Sequence, residues 1–432
     1  MERTPPVNQK TIGYSEEGRP LNVIFAGQNE SKLRIFIIAG QHGDEANGRE
    51  AVLKLGTTDE SFPETPSAQL AILLDANPDG SYRATRKNSK QIDLNRDHQR
   101  LEAKETRAIH DFARSWNPHL IIDVHNYPPR RKHLIAENRV IDYDVFLDTP
   151  TNPAVDLFSD QEALSDALLK MVKSDLSPQG YSCERYLLLK PQGKARRSTL
   201  DISDARNSLA LRFGVLTVLL EGREPTEDDD FRAVKKLVSA QHQALLSIIR
   251  WAVNHETILT SGPKTVEDEI PIRYKYYPSN KNFEMKYRNA LTGKSEIVPL
   301  QYYFADVKIT ESVRLPRSYA VPQDQVKVLE ILDRHEFDSE LSNGPRVEDV
   351  ESYSLISAET LGGTKDKPTS NLTLKKESKS LEGYRIFRTD QVGGRTLALL
   401  LEPRSRYGLR RHADLRIPLS RRNPDYPILR IV

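Results

Sequence analysis

The sequence predicts an α/β fold followed by a smaller β-rich domain, and three features support this prediction. Between about residues 10 and 257, short apolar runs alternate with helix-like stretches, as in a sheet layered between helices. Several runs are apolar without alternation, which indicates burial on both faces of a mixed, largely parallel sheet. After residue 257 the chain is rich in Tyr, Thr and charged residues with strand-like alternation. We therefore predict two domains, 1–257 and 258–432.

The predicted elements follow from these patterns. In the first domain we predict strands at 21–26, 33–39, 69–74, 119–124 and 215–220, and helices at 46–55, 101–115, 160–173 and 226–255. In the second domain we predict strands at 270–276, 301–309, 384–388 and 396–402, one helix at 323–336, and a polar span from about 360 to 382.

Composition excludes several classes of function. Lys and Arg number 63 against 61 Asp and Glu, so net charge gives no reason to expect a nucleic acid or an anionic membrane as partner. The one cysteine, Cys183, excludes a thiolate-rich metal site, so a tightly held metal must use His and carboxylate ligands. Apolar runs are too short to span a bilayer and the start has no signal core. We expect a cytoplasmic protein, or a periplasmic or secreted chain whose leader was removed.

Two strand ends present residues suited to a zinc ion. The apolar strand 33–39 stops at Gly40, and the next turn presents His42 and Glu45. Taken alone, this H-x-x-E spacing occurs by chance in many chains. His125, however, directly follows the strand 119–124, at another carboxyl end of the same predicted sheet. Two imidazoles and one carboxylate suit Zn²⁺ and leave a coordination position for water.

A carboxylate and several polar side chains could complete an active site. Glu221 ends the apolar run 215–220, where a carboxylate is costly unless it is used or paired. It could act as a proton acceptor beside a metal-bound water, or it could pair with Arg223. The segment 77–98 opens with an N-P-D-G turn and carries Arg86, Asn95 and Arg96, and an arginine matches a carboxylate bidentately.

The order of these motifs resembles the zinc carboxypeptidases related to carboxypeptidase A, the M14 peptidases. The motifs are H-x-x-E, N-P-D-G, R-K, D-x-N-R, D-x-H and a strand-end Glu, together with the segment G-Y-S-x-E-G-R-P-L at 13–21. The resemblance covers roughly the first 250 residues and implies a mixed eight-stranded sheet between helices. The later region resembles the tail of large bacterial members, and we expect it to be an accessory domain.

The resemblance also implies a role for each residue. His42, Glu45 and His125 would bind one zinc ion per chain, with Glu221 as general base and acid. Asp93 would orient His42. Arg86 would polarise the scissile carbonyl, while Asn95 and Arg96 would grip the terminal carboxylate of a peptide. The implied activity is hydrolysis of the C-terminal amide bond.

Two departures leave the substrate open. Family members place a tyrosine on a loop before the catalytic Glu, but the stretch 196–214 holds none, and Tyr181 and Tyr186 lie further upstream. The alternatives are an N-acyl amino acid deacylase of the succinylglutamate desuccinylase or aspartoacylase type, which shares D-L-N-R, and a non-catalytic peptide-binding module. The specificity residue is not identified by its position. A group of arginines in the expected stretches suggests a preference for acidic C-terminal residues: Arg130, Arg131, Arg196, Arg197 and Arg206.

Overall fold

The structure is a computed structural model that describes residues 8–27, 30–57, 67–155, 157–158, 160–262, 269–357, 371–415, 417, 419 and 424–432. The chain divides into two compact units. The first unit contains residues 1–210, 214–264 and 276–306, and the second contains 211–213, 265–275 and 307–432. Part of the polar span at 360–382 lies outside the described residues.

The helices and strands have the following bounds. The helices are α1 (Ala46–Thr57), α2 (Pro78–Arg83), α3 (Lys104–Trp116), α4 (Lys132–Ile135), α5 (Gln161–Leu176), α6 (Ala205–Phe213), α7 (Phe231–Asn254), α8 (Glu256–Thr260), α9 (Val326–Arg334) and α10 (Gly394–Leu401). The strands are β1 (Gln9–Tyr14), β2 (Pro20–Gly27), β3 (Leu33–Ala39), β4 (Ala68–Leu73), β5 (Leu120–Tyr127), β6 (Arg139–Ile141), β7 (Val145–Asp148), β8 (Cys183–Arg185), β9 (Leu187–Lys190), β10 (Lys194–Arg197), β11 (Leu216–Arg223), β12 (Glu269–Pro278), β13 (Glu284–Asn289), β14 (Ser295–Pro299), β15 (Tyr302–Arg314), β16 (Ser318–Pro322), β17 (Ser339–Leu341), β18 (Val347–Ser357), β19 (Asn371–Ser380), β20 (Tyr384–Arg388) and β21 (Leu429–Ile431).

The first unit is built on a mixed sheet, as the sequence predicts. Within the described ranges the sheet has eight strands in the order β1-β2-β4-β3-β5-β11-β7-β8. Its central strands β4, β3, β5 and β11 are mutually parallel, while β1, β2 and β7 introduce antiparallel pairs. The five strands that the sequence predicts in this domain all belong to this sheet, so the predicted α/β class is confirmed.

Helices cover both faces of the sheet. On one face, apolar side chains of β3, β5 and β11 form the main core with residues of α1, α5 and α7. On the other face, Phe36 of β3 packs edge-on against Phe112 of α3, with ring centroids 4.9 Å apart. Burial on both faces explains why these strands are apolar without alternation. Among the described residues, no helix is long and apolar enough to cross a membrane.

Residues 276–306 belong to the first unit, although they follow the boundary predicted at residue 257. Strand β13 pairs with β6, and the start of β15 pairs with β10. A second apolar cluster therefore joins the segment 276–306 to the rest of the first unit. It contains Tyr127, Phe146, Leu187, Met285, Tyr287 and Tyr303. This pairing between distant segments leaves no periodic signal in the sequence.

The second unit contains an antiparallel sheet in the order β17-β20-β16-β21-β18-β19. The prediction of a strand at 396–402 is wrong, because this run forms the helix α10. A short apolar run can be a buried strand or a buried helix, and periodicity does not separate the two. The start of the helix follows Gly393, which has a φ of 79°. The predicted strand 384–388 and helix 323–336 are confirmed by β20 and α9.

A buried ion pair ties α10 to the sheet of the second unit. Arg430 donates to Glu402 at 2.8 Å, and the Tyr319 hydroxyl donates to the same carboxylate at 2.7 Å. Both charged side chains are at most 5% exposed. Removing one member of a buried pair leaves the other charge without compensation, which is strongly destabilising.

We expect Arg430→Met to lower the free energy of unfolding by roughly 3–5 kcal/mol, because Glu402 would remain buried without its cation. Arg388→Met, which breaks an exposed pair with Asp390, is the control and should change stability little. Urea titration followed by circular dichroism measures both. The double variant with Glu402→Leu should recover much of the loss, and a single variant as stable as the parent would contradict the assignment.

Candidate metal centre

His42, Glu45 and His125 lie together at the carboxyl edge of the main sheet. His42 Nδ1 lies 2.6 Å from Glu45 Oε1, and His125 Nδ1 lies 2.9 Å from Glu45 Oε2. The two Nδ1 atoms are 3.2 Å apart. All three side chains are buried. The turn after β3 and the strand β5 thus bring together the three residues that the sequence singles out.

Each imidazole of this triad is oriented by a carboxylate outside it. His42 Nε2 lies 3.1 Å from Asp93 Oδ1, and His125 Nε2 lies 3.0 Å from Asp123 Oδ1. A carboxylate that accepts the Nε2 proton leaves the Nδ1 lone pair free to bind a metal. The resemblance implies the Asp93 contact. The only signal for Asp123 is the D-x-H spacing, to which the sequence assigns no role.

The donor set fits a zinc ion. Tetrahedral coordination with bonds of about 2.0–2.1 Å separates neighbouring ligand atoms by roughly 3.3 Å. The corresponding atoms of this triad lie 2.6–3.2 Å apart, so a small outward movement would admit the ion. Among the described residues, the triad is the group of His, Cys, Asp or Glu side chains whose ligand atoms could hold one ion. Two imidazoles and one carboxylate match catalytic zinc sites that keep a position open for water.

The electrostatics of the triad favour positive charge. Burial opposes ionisation of Glu45, but the charges of His125 and His42 outweigh it and hold its pKa well below its usual range. Burial also opposes the charged form of His125 and by itself would lower its pKa. The charges of Asp123 and Glu45 outweigh this effect and raise the pKa of His125 well above its ordinary value. The backbone N–H of Asn126 also donates to Glu45 at 3.0 Å, which fixes that carboxylate.

Glu221 lies beside the triad on the neighbouring strand. Parallel pairing of β11 with β5 puts Glu221 directly opposite His125. Burial raises the pKa of Glu221 to about 7, despite the opposing charge of His125. Arg223, the alternative partner suggested by the sequence, instead pairs with Asp229 at 3.0 Å. A buried carboxylate of raised pKa is suited to accept and return a proton near neutral pH.

Arg86, Asn95 and Arg96 also lie around the triad. The Arg86 Nε donates to Asp93 at 3.0 Å, and its Nη1 lies 3.7 Å from Glu45. Asn95 is buried, with Nδ2 3.0 Å from His125 Nε2 and Oδ1 accepting from the Ala205 N–H at 2.8 Å. Arg96 is exposed and donates to the Asn95 carbonyl. Arg86 and Asn95 thus contact residues of the triad directly, and Arg96 lies next to Asn95 in the short turn Leu94–Arg96.

A buried hydrogen-bond chain extends behind Asp123. Gln41 donates to Asp123 Oδ1 at 2.6 Å and accepts through its carbonyl oxygen from His98 Nε2 at 2.8 Å. Burial lowers the pKa of His98 to about 4, so the ring is neutral. Its Nδ1 therefore accepts from His110 Nε2 at 3.1 Å. Sequence reasoning missed Gln41, whose one signal is that it directly precedes His42.

Of the two tyrosines left unassigned, Tyr186 lies near the centre. Its ring meets Phe146 edge-on with centroids 6.2 Å apart, and Phe146 is paired directly opposite Glu221. Burial and the charge of Glu221 raise the pKa of the Tyr186 hydroxyl above its usual range. Tyr181 instead packs against the main core, away from this face of the sheet.

Three of the five arginines that suggest a preference for acidic C-terminal residues already have hydrogen-bond or ion-pair partners within the chain. Arg130 pairs with Asp228, Arg196 donates to the Ser198 carbonyl at 3.1 Å, and Arg197 is held by Asp148 and Glu162. Arg131 and Arg206 differ, because each retains at least one buried nitrogen atom without a hydrogen-bond partner.

Comparison with known proteins identifies relatives of this chain. The profile of the family described as zinc carboxypeptidase, peptidase M14, matches residues 2–306. Carboxypeptidase 2 of Trichophyton tonsurans is 27% identical over 206 residues, which are 44% of this chain and 37% of that protein. Murein peptide amidase A of Vibrio campbellii is 36% identical over 90 residues, which are 21% of this chain and 34% of that protein. The chain thus spans less than two fifths of either relative.

Solved structures give weaker likenesses. A metallo-carboxypeptidase from Burkholderia cenocepacia superposes with a TM-score of 0.43 and 21% identity, over 58% of this chain and 66% of that one. Bovine thrombin-activatable fibrinolysis inhibitor superposes with a TM-score of 0.43 and 17% identity, over 59% of this chain and 93% of that one.

We expect His125→Ala to abolish tight zinc binding, because two protein ligands do not hold zinc as three do. Zinc content after dialysis, measured by inductively coupled plasma mass spectrometry, should fall from one ion per chain to none. His133→Ala, which removes a histidine outside the triad, should keep full zinc content. Equal zinc in the two variants would show that the ion is bound elsewhere.

Gln41→Leu should weaken zinc binding by roughly 10- to 100-fold, the usual effect of losing a group that orients a metal ligand. The leucine fills the space but neither donates to Asp123 nor accepts from His98. Competition with a chromogenic chelator gives the affinity. Gln69→Leu, in β4 of the same sheet, is the matched control, and equal affinity in the two variants would rule out an orienting role for Gln41.

Proposed function

Because this chain belongs to the zinc carboxypeptidase family, we propose that it hydrolyses the C-terminal amide bond of a peptide. The observation that supports this proposal most strongly is the convergence of His42, Glu45 and His125 beside Glu221. In this proposal the triad holds one zinc ion per chain. Bound zinc would supply a polarised water at neutral pH and a Lewis acid for the scissile carbonyl.

Glu221 is the proposed general base and acid. It is buried, and its raised pKa of about 7 lets it exchange a proton near neutral pH. It would take the proton of the attacking water and then deliver it to the leaving amine. Its position opposite His125 on the adjacent strand supports this role, because that register puts the carboxylate next to a residue of the triad.

Arg86, Asn95 and Arg96 are the proposed substrate-binding residues. Arg86 is 45% exposed and reaches Glu45 and Asp93, so it can also reach a carbonyl oxygen at the metal. A guanidinium stabilises the charge that develops on that oxygen without donating its proton away. Arg96 is exposed beside Asn95 and is the proposed partner of the substrate's terminal carboxylate.

An N-acyl amino acid deacylase remains the second candidate. It would use the same triad, Glu221 and arginines, and the absence of a tyrosine from 196–214 favours it. The N-P-D-G turn, in which Asn77 caps α2 by accepting from the Gly80 N–H, favours the peptidase. A non-catalytic binding module is the third alternative. The presence of all three triad residues together with Glu221 argues against it.

Hydrolysis of two substrate classes by the zinc-loaded chain separates these functions. Release of the terminal amino acid from N-acylated dipeptides, with little turnover of N-acyl amino acids, is the result expected for the peptidase. The reverse preference would establish the deacylase. Zinc-loaded protein that turns over neither class would defeat the enzymatic proposal.

Glu221→Gln should lower kcat by roughly 10²- to 10⁴-fold, because the amide cannot accept a proton. Zinc content should stay at one ion per chain, since Glu221 is not a ligand in this proposal. In the parent, kcat/KM should rise with pH as Glu221 ionises, with a midpoint at or below about 7, since a neighbouring cation favours the carboxylate. Glu382→Gln, which changes an exposed carboxylate of the second unit, is the control. A variant with undiminished kcat would exclude Glu221 as the base.

A further inference from the structure

Arg206 is a buried arginine that lacks partners for part of its guanidinium group. It is 2% exposed. Its Nη2 donates to the Thr199 carbonyl at 2.9 Å and reaches the Thr151 hydroxyl at 3.3 Å. Its Nε and Nη1 are buried without a hydrogen-bond partner. Leaving donors of a charged group unsatisfied is costly, so such a group points to a ligand that completes it.

Among the described residues, no carboxylate lies within hydrogen-bonding distance of the Arg206 guanidinium. Asp148 is surrounded by three arginines, of which Arg185 and Arg197 donate to it at 3.0 Å. Each of these two also contacts a second carboxylate, Asp166 for Arg185 and Glu162 for Arg197. Arg206 lies 3.7 Å from Asp148 and 3.9 Å from Asp204. Of the three arginines, Arg206 is therefore the one whose hydrogen bonds go to neutral oxygen atoms only, those of Thr199 and Thr151.

Arg206 lies on the same face of the sheet as Glu221. Side chains alternate along a strand, so Thr217, Leu219 and Glu221 of β11 share one face. Thr217 donates to the Arg206 carbonyl at 2.6 Å. Asp148, beside the Arg206 guanidinium, is paired directly opposite Leu219. Leu219 is two residues from Glu221 along the strand, which corresponds to about 7 Å.

Tyr186 connects the two groups. The pKa of its hydroxyl is shifted chiefly by burial and by the charge of Glu221, and the charges of Arg131, Arg206 and Arg96 act on it as well. The charges of the proposed base, of Arg206 and of the proposed terminal-carboxylate ligand therefore all act on one tyrosine.

We propose that Arg206 binds the side-chain carboxylate of an acidic C-terminal residue, glutamate or aspartate, and thereby determines specificity. The inference rests on the proposed carboxypeptidase function and assigns its substrate class. A carboxylate supplies a charged acceptor for a guanidinium whose Nε and Nη1 donors lack one. An apolar side chain leaves those donors unsatisfied, and a lysine adds a like charge in a buried site.

Kinetics on four matched substrates test this assignment. The zinc-loaded chain is assayed on N-acylated dipeptides that differ only in their last residue: Glu, Gln, Phe or Lys. We expect kcat/KM for Glu to exceed that for Gln by at least roughly 30-fold, the usual effect of truncating one partner of a buried charge pair. Arg206→Gln should abolish this ratio, whereas Arg206→Lys should keep part of it.

Arg196→Gln is the control, because Arg196 lies in the same segment and donates to the Ser198 carbonyl. It should keep the Glu-to-Gln ratio of the parent. A merely structural role for Arg206 would lower kcat/KM equally for all four substrates and leave the ratio unchanged, which would overturn the proposal. Equal cleavage of Glu and Gln ends by the parent would overturn it as well.

Binding measurements separate this proposal from the proposed function. Calorimetry compares N-acetyl-glutamate with N-acetyl-glutamine on the zinc-loaded parent and on Arg206→Gln. Tighter binding of the glutamate compound to the parent alone supports the Arg206 site even if no dipeptide is cleaved, in which case only the proposed function fails. Equal binding of both compounds to the parent, with dipeptides cleaved, would overturn the Arg206 site and leave the function standing.

Discussion

The parallel pairing of β3, β5 and β11 is the constraint on which the centre depends. Neighbouring parallel strands end at the same edge of a sheet, so residues that follow these strands meet without any long connection. Glu221 is in register with His125, and the turn after β3 brings His42 and Glu45 to the same edge. A shift of one residue in either pairing would turn these side chains to the opposite face. The apolar interior that holds the register is therefore part of the chemistry.

Burial of so many charged groups requires partners beyond the triad. Asp93 and Asp123 hold the two imidazoles, Gln41 holds Asp123, and the Asn126 N–H holds Glu45. Each partner adds a hydrogen bond to a polar group that is buried in or beside the triad. The three candidate ligands are consequently held in position by neighbouring side chains, and preorganisation of this kind lowers the cost of binding an ion.

The ends of the apolar strands were predictable from the sequence. The triad and Glu221 could be singled out because they lie at these ends, where α/β proteins bind their ligands. Asp123 and Gln41 could not be singled out, since their contacts depend on which side chains share a face of the folded sheet. The strand predicted at 396–402 failed because a run such as Thr396–Leu401 is equally apolar in a buried helix. The pairing of residues 276–306 with β6 and β10 joins segments more than 100 residues apart, which no local pattern reveals.

The same carboxylates explain why the triad favours a cation. Asp123 and Glu45 raise the pKa of His125 against the effect of burial, which means that they stabilise positive charge at its ring. A metal ion at Nδ1 benefits from the same field and competes with the proton for the same lone pair. At Glu221 burial disfavours the negative charge and raises the pKa of the carboxyl group to about 7. This carboxylate can therefore take up a proton near neutral pH. The candidate cation site and the proposed proton acceptor thus lie side by side, and the pKa of Glu45 differs from that of Glu221 because the two carboxylates have different neighbours.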